Sequence, residues 1–393
     1  MKVAVLKETI PGERRVALVP AHVAPLVKAG LDVVVESGAG NAAGFADAAY
    51  SEHGAKIAAS PGEACEADIV LHVRVVNGGE PSVDDVEHYR RGQVVIGLCD
   101  PLNRPQSIRH LAETGITLFA LELMPRTTRA QSMDVLSSMS TIAGYRAVLL
   151  AAVELPRLFP MMMTAGGTLT ASKVFVLGAG VAGLQAMATA KRLGAIVRGY
   201  DVRPDCKEQV ESVGGKFVEL SLEAKDTQDA AGYAKAQDEE TLRRQRELLG
   251  KIVAESDVVI TTAVIPGKAA PQLITSEAVA AMQPGSVIVD LAAERGGNCP
   301  LTRADQRVVE HGVVILGPTN LPAEVPRHAS QLFSGNVTAF LQNLVKKGQV
   351  VLNQEDQIIR ETLAAHEGRV VHPRLTPLVS PPASDTIPLE GSA

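Results

Sequence analysis

Short β-branched runs alternate with stretches of helical spacing almost from the first residue. "KVAVLKE", "LDVVVE", "DIVLHV", "QVVIGL" and "ITLFALE" have the length and apolar character of buried strands. Between them, "AHVAPLVKAG", "SVDDVEHYRRG" and "QSIRHLAETG" carry apolar residues three and four apart, one face of a helix. A long helical pattern from Val135 to Glu154 leads into a second set of strands: "KVFVL", "IVRGYD", "KFVEL", "DVVITT", "SVIVDLA" and "VVILG". Such alternation implies parallel strands joined by right-handed crossovers. The expected fold is α/β: two Rossmann-like, doubly wound parallel-sheet domains joined by long helices, with a cleft between them.

The helical run "LFSGNVTAFLQNLVKKG" after Pro326 is expected to return to the first domain. That domain is then discontinuous, residues 1–137 plus about 325–380, and residues 138–324 form the second. Residues 381–393 end a Pro/Ser-rich segment that reads as a flexible tail or docking arm. Residues 221–247 are too long for a compact connection of about 2–6 residues. Sequence pattern alone gives equal weight to a solvated surface loop and to an excursion with a purpose.

Composition narrows the function classes. The 393 residues are 46 % hydrophobic and 21 % charged, ordinary for a globular protein, and with 3 % aromatics the core must be aliphatic. A formal charge of −6 and the absence of a basic run argue against nucleic acid as a partner. Cys65, Cys99, Cys206 and Cys299 are scattered without metal-ligand spacing, so buried reduced thiols in a cytoplasmic protein and no metal are expected. The N-terminus has no signal-peptide pattern, and the apolar stretch "AVLLAAVELPRLFPMMM" is broken by Glu154, Pro156, Arg157 and Pro160. The chain is therefore expected to dock on a membrane at most.

The strongest chemical signal is "KVFVLGAGVAGLQAMATAKRLGAIVRGYD". Gly178, Gly180 and Gly183 follow a strand and open a helix in the spacing of a dinucleotide fingerprint. The first permits the tight turn, the second lets a pyrophosphate approach the backbone, and the third lets helix and strand pack closely. Asp201 ends the next strand, where a carboxylate accepts from a ribose 2′-hydroxyl and repels a 2′-phosphate, favouring NAD over NADP. Arg203, two residues on, packs on the adenine or faces water. Gly38, Gly40 and Gly44 also follow a strand but with the wrong spacing and no acid, an ordinary turn.

A second cluster, "RTTRAQSMD" at residues 126–134, holds hydrogen-bonding groups and charges but no Cys, His or Lys. With a helix starting near Ser132, Gln131, Asp134, Ser137, Thr141 and Tyr145 share one face, and Val135, Met139, Ile142 and Leu149 form the apolar stripe opposite. Locally this reads first as a helix N-terminus capped by Ser132 or Asp134. Beside a dinucleotide domain, the same stripe suits a clamp that orients a nicotinamide without acid–base chemistry.

"MPRTTRAQSMDVLSSMSTIAGYRAV", "VLGAGVAGLQAMATAKRLGA", "GYDVRPDCKEQVESVGGKF", "AGYAKAQDEE", "TTAVIPGKAAPQLIT" and "VIVDLAAERGGNCPLT" together resemble the NAD(H)-binding component of proton-translocating nicotinamide nucleotide transhydrogenases. The likeness runs over nearly the whole chain. It implies that NAD(H) on this chain exchanges a hydride with NADP(H) on the NADP(H)-binding domain of a β subunit. Membrane-spanning subunits would couple the exchange to proton movement, holding a homodimer of this chain at the inner face of the plasma membrane. It further implies that Arg126, Thr127, Thr128, Gln131, Ser132, Met133 and Asp134 lie beside the nicotinamide, with Arg126, Gln131, Asp134 and the adjoining Ser137 serving the transfer. Gly178, Gly180, Val181 and Gly183 match the phosphate turn, and Asp201, Val202 and Arg203 the adenosine site. Tyr233, preceded by Gly232, matches the tyrosine of a mobile loop near 221–240 that closes over the nucleotide.

Hydride passing between two nicotinamides changes no O–H or N–H bond, which accords with a clamp lacking His and Lys. The nearest rival is an alanine dehydrogenase, which expects a Lys after "ADIVL" and a His after "GQVVIGL"; those places hold Arg74 and the pair Cys99–Asp100. A non-catalytic NAD-sensing module is the other alternative.

Overall fold

The computed structural model describes residues 1–77, 80–81, 87–220 and 239–379. Along the chain, β1 (Lys2–Val5), β2 (Asp32–Glu36), β3 (Lys56–Ala58), β4 (Ile69–Arg74), β5 (Val94–Leu98) and β6 (Thr117–Ala120) come first. The long helix α1 (Val135–Glu154) leads to β7 (Lys173–Leu177), helix α2 (Val181–Arg192), β8 (Ile196–Tyr200), β9 (Lys216–Phe217) and helix α3 (Glu239–Ala254). Strands β10 (Val258–Thr261), β11 (Val287–Asp290), β12 (Arg307–Glu310) and β13 (Val313–Leu316) follow. Helices α4 (Pro326–Leu344) and α5 (Gln357–Thr362) and strands β14 (Leu363–His366) and β15 (Arg369–Val370) end the series.

Two large sheets result. The first has the order β15-β14-β6-β5-β4-β1-β2-β3 and the second β9-β8-β7-β10-β11-β13-β12. In each, the chain starts mid-sheet, builds outward one way, then returns and builds the other way. That reversal leaves a crevice at the strands' carboxyl ends, between β1 and β4 and between β7 and β10. Parallel pairing dominates, as the alternation implies; β14 on β6 and β12 on β13 are antiparallel edges.

Helix α4 returns to the first sheet because Ala329, Phe333, Val337, Phe340, Leu341 and Leu344 recur at three- and four-residue steps. They pack in one core with Val3 and Val5 of β1. Phe340 meets Phe119 of β6 edge to face at 5.3 Å. Ser330 and Ser334, on the same helix, accept from the backbone N–H groups of Val16 and Val19 at 2.9 and 3.0 Å, tying down the loop after β1.

Helix α1 joins the lobes. Val135, Met139 and Ile142 lie in the first core, and Ala147, Val148 and Ala151 in a core of the second sheet. Leu149, expected on the apolar stripe, is half-buried, because that face is handed to the small residues one turn along. Gly144 explains the closeness of α1 and α2: a Cβ there would stand 2.1 Å from the Ala182 carbonyl oxygen. By length and a mean hydropathy of 1.3, α1 could cross a bilayer, which the broken stretch downstream did not register. In this fold it is packed against α2 and α4.

All four cysteines are buried free thiols. The expected helix "SVDDVEHYRRG" falls partly outside the described residues, and its described part, 87–92, is turn and irregular backbone. The tail 381–393 and the segment 221–238, with Gly232 and Tyr233, also lie outside them.

Candidate functional site

The crevice of the second sheet carries the glycine turn, and each glycine has a separate physical reason. Gly178 has φ +98°, and a Cβ on it would meet Thr262 Oγ1 at 2.4 Å. A Cβ on Gly183 would stand 1.8 Å from the Gly178 carbonyl oxygen, so α2 and the turn pack backbone to backbone. At Gly180 nothing lies within 4 Å of that position. The open place sits at the N-terminus of α2, where free N–H groups and the helix dipole attract an anion. Such a cradle fits a pyrophosphate.

At the adenosine end, Asp201 Oδ2 accepts from Ala179 N at 2.8 Å, which locks the glycine turn to β8. Arg203 does not stand free toward water: its Nε and Nη2 donate to Asp201 Oδ1 and Oδ2, both at 2.9 Å. Burial opposes ionisation of Asp201, but hydrogen bonds and charge from Arg203 outweigh it and hold the carboxyl below its usual range. The pair presents a carboxylate whose charge is compensated in place. Its edge still offers lone pairs to a ribose hydroxyl.

A cleft of about 1260 Å³ runs from this end to a wall supplied by the first lobe. Of the residues expected at the site, Arg126, Thr127, Ser137, Gly178, Gly180, Val181, Asp201, Val202 and Arg203 line it. Gly183 lies beneath the turn. Thr128, Gln131 and Ser132 belong to a 3-10 turn, Thr128–Met133, which turns these three toward solvent. Met133 is a correction to the clamp: it is buried in the first lobe's core with Val135 and Met139. The helix starts at Val135 rather than near Ser132, because Asp134 is its N-cap. Asp134 Oδ1 accepts from Ser137 N at 2.9 Å and Oδ2 from Ser137 Oγ at 2.6 Å. The ordinary capping role is thus filled by Asp134, and it fixes Ser137 at the cleft edge.

Several lining residues carry no motif that sequence pattern picks out. Gln245 of α3 is 1 % exposed; its Nε2 donates to Tyr200 Oη at 2.9 Å, and its Oε1 has no partner among the described residues. Asn298 holds the 262–271 loop, with Oδ1 accepting from Ala263 N and Nδ2 donating to the carbonyls of Ala263 and Pro271. Asp290, fully buried, gathers Thr261 Oγ1, Ala292 N, Asn298 N and Thr302 Oγ1 and so shapes that side of the cleft.

The lobes also touch through charge. Asp100, with φ +49°, accepts from Arg295 Nη2 at 2.7 Å, and Arg74 lies 3.7 Å from Glu294. Behind Asp100, Glu122 Oε1 accepts from the N–H groups of Cys99 and Asp100, both at 2.6 Å. Burial, with the charge of Asp100 adding to it, raises the Glu122 carboxyl to about 7. Among the described residues no histidine lines the cleft, and its one lysine, Lys268, is exposed. Among the same residues there is no cluster arranged to hold a metal ion.

Comparison with known proteins gives a consistent picture. The family model described as the alanine dehydrogenase/PNT N-terminal domain matches residues 4–143, and that of the C-terminal domain residues 147–373. The first of the two alpha-subunit chains of the NAD(P) transhydrogenase of Rhodospirillum rubrum is 48 % identical over 380 residues, 96 % of this chain and 99 % of that one. A crystal structure of transhydrogenase from Sinorhizobium meliloti superposes with a TM-score of 0.82 at 43 % identity, covering 95 % and 99 % of the two chains. Alanine dehydrogenase of Bacillus subtilis is 30 % identical over 95 % of this chain and 93 % of its own.

Proposed function

The chain belongs to the alanine dehydrogenase/PNT family, among the NAD(P) transhydrogenase alpha subunits, and from that premise we propose that it binds NAD(H) for direct hydride exchange with NADP(H) on a partner domain. The carrying observation is the cleft itself. A complete dinucleotide turn with a compensated Asp201–Arg203 pair faces a wall of Arg126, Thr127 and Ser137 that lacks histidine. Bound NAD(H) supplies the hydride donor or acceptor at its nicotinamide. The chain's own work is positioning: Gly178, Gly180 and Val181 cradle the phosphates, Asp201 and Val202 hold the adenosine, and Arg126 and Ser137 orient the nicotinamide half. Orientation of this kind lowers a barrier by roughly 7–11 kcal/mol at best.

Thr128, Gln131 and Ser132, exposed beside the cleft, are suited to meet the partner's nucleotide or domain once the two surfaces join. Gly232 and Tyr233 complete the reading as a lid. Membrane-spanning subunits would couple the exchange to proton translocation, with this chain peripheral to the inner face of the plasma membrane. A homodimer accords with the hairpin at 162–169, whose Met161, Met162, Met163 and Leu169 are all exposed apolar groups.

Alanine dehydrogenase activity is disfavoured by the use of the two diagnostic positions. Arg74 and Asp100 are engaged with Glu294 and Arg295 across the lobes, which leaves no lysine or histidine there for an amino acid. The test mixes the chain with an NADP(H)-binding partner domain and follows hydride transfer by rapid mixing. Gln131→Asn is expected to slow transfer at least tenfold more than it weakens NADH binding. Equal losses would reduce Gln131 to a binding residue, and NAD-dependent oxidation of L-alanine would overturn the reading.

A further inference from the structure

Glu122, in the cleft wall, has half of its hydrogen-bonding capacity fixed and half idle. Oε1 is held by the Cys99 and Asp100 N–H groups, so the side chain cannot swing away. Oε2 is buried and has no partner among the described residues. It stands in the first-lobe wall with Arg126, Thr127 and Ser137, the end of the cleft away from the adenosine pair. An idle buried polar atom is costly unless a partner arrives, and here a ligand is the available partner.

The identity of that partner follows from charge. Cys99 and Asp100 lie on the loop that Glu122 holds, and both interact unfavourably with its negative charge. Arg126 and Arg374 line the same cleft, and so does Glu361 of α5. Across the gap Arg295 is engaged by Asp100, with Glu294 beside it. None of these forms a hydrogen bond to Oε2. A neutral carboxyl is the form that burial favours, and its O–H is a donor aimed at an acceptor.

Resting on the NAD(H) reading above, we propose that Glu122 is a cofactor-binding residue that, in its protonated form, donates from Oε2 to an oxygen of the nicotinamide half of the bound nucleotide. Binding is then linked to a proton held on the protein. The carboxyl titrates near neutrality, so nucleotide affinity falls as Glu122 ionises. The same side chain anchors Asp100, so one group fixes both the cofactor's aim and the Asp100–Arg295 contact between lobes.

The full chain tests this by NADH fluorescence titration from pH 6 to 8. Wild type is expected to lose affinity about tenfold over that range, as the protonated fraction falls. Glu122→Gln, which keeps the acceptor and fixes a donor in place, should vary less than about twofold and remain near the acidic wild-type value. An unchanged slope in Glu122→Gln, or a flat wild type, would overturn the assignment. Should the variant fold poorly, calorimetry of wild type at pH 7.5 in buffers of different ionisation heat decides: net proton uptake on binding NADH supports it, and zero uptake refutes it. Failure to bind NADH at any pH would instead overturn the dinucleotide reading beneath it.

Discussion

At the scale of single residues, the glycine turn separates two demands that substitutions can pull apart. Gly180→Ala meets open space, so the free protein should keep its stability within about 0.5 kcal/mol while NADH affinity collapses, because the methyl lies where the pyrophosphate approaches. Gly183→Ala drives a Cβ into the Gly178 carbonyl and should cost about 2 kcal/mol or more in denaturant unfolding. Asp201→Asn releases Arg203 from its carboxylate. NADH should weaken roughly tenfold while NADPH gains relative to it, both readable by fluorescence titration. A further residue-scale effect comes from Glu8, whose carboxylate accepts from Val73 N and Arg74 N at the first sheet's crevice. Burial, reinforced by Glu13, raises it to about 8 from 4.5. A raised carboxyl makes the folded state hold its proton, so this stability is complete below pH 4.5 and drains as pH rises through about 8. Glu8→Gln loses one acceptor and should start about 1–2 kcal/mol lower, but its unfolding free energy should change less between pH 5 and 8.

Among elements, the decisive contact is the crossing of α1 and α2. Gly144 lets Ala182, one residue into the phosphate-binding end of α2, touch the helix that spans both lobes. Gly144→Ala should therefore lose stability by about 1–3 kcal/mol and, by displacing the start of α2, weaken NADH as well. A variant that lost stability with unchanged affinity would mean that the crossing only supports the fold. Element order and the parallel sheets were legible because buried strands read as unbroken β-branched runs and their connecting helices as amphipathic ones. The antiparallel additions β12 and β14–β15 were not. Their turns, His311–Gly312 and Glu367–Gly368, have both φ values positive as two-residue hairpins require, yet lack the usual Asn or Asp in first place. "LAAH" also carries no strand signal. The fingerprint was legible since it is local, one turn and one acid. Gln245, Asn298 and Glu122 were not, since each reaches the cleft only through tertiary packing. Asp134 illustrates the same limit: its spacing was readable, whereas its capping of Ser137 depends on where the 3-10 turn ends.

For the whole molecule, two doubly wound lobes face one cleft, and the places where an amino-acid dehydrogenase would keep a lysine and a histidine hold ion pairs between the lobes. Arg295 and Asp100 are partly exposed, so Arg295→Met should cost no more than about 1 kcal/mol in unfolding. Its larger effect is expected on how the lobes are held about the nucleotide. A chain built this way aims a nicotinamide and leaves the second reactant to another surface. The most direct test supplies NADH deuterated at the transferring position of C4, NADP⁺ and the NADP(H)-binding partner domain in ordinary water, and analyses the NADPH formed by mass spectrometry. Direct hydride exchange predicts that the deuterium is recovered in NADPH without dilution by solvent. Absence of transfer, or deuterium lost to water, would contradict it.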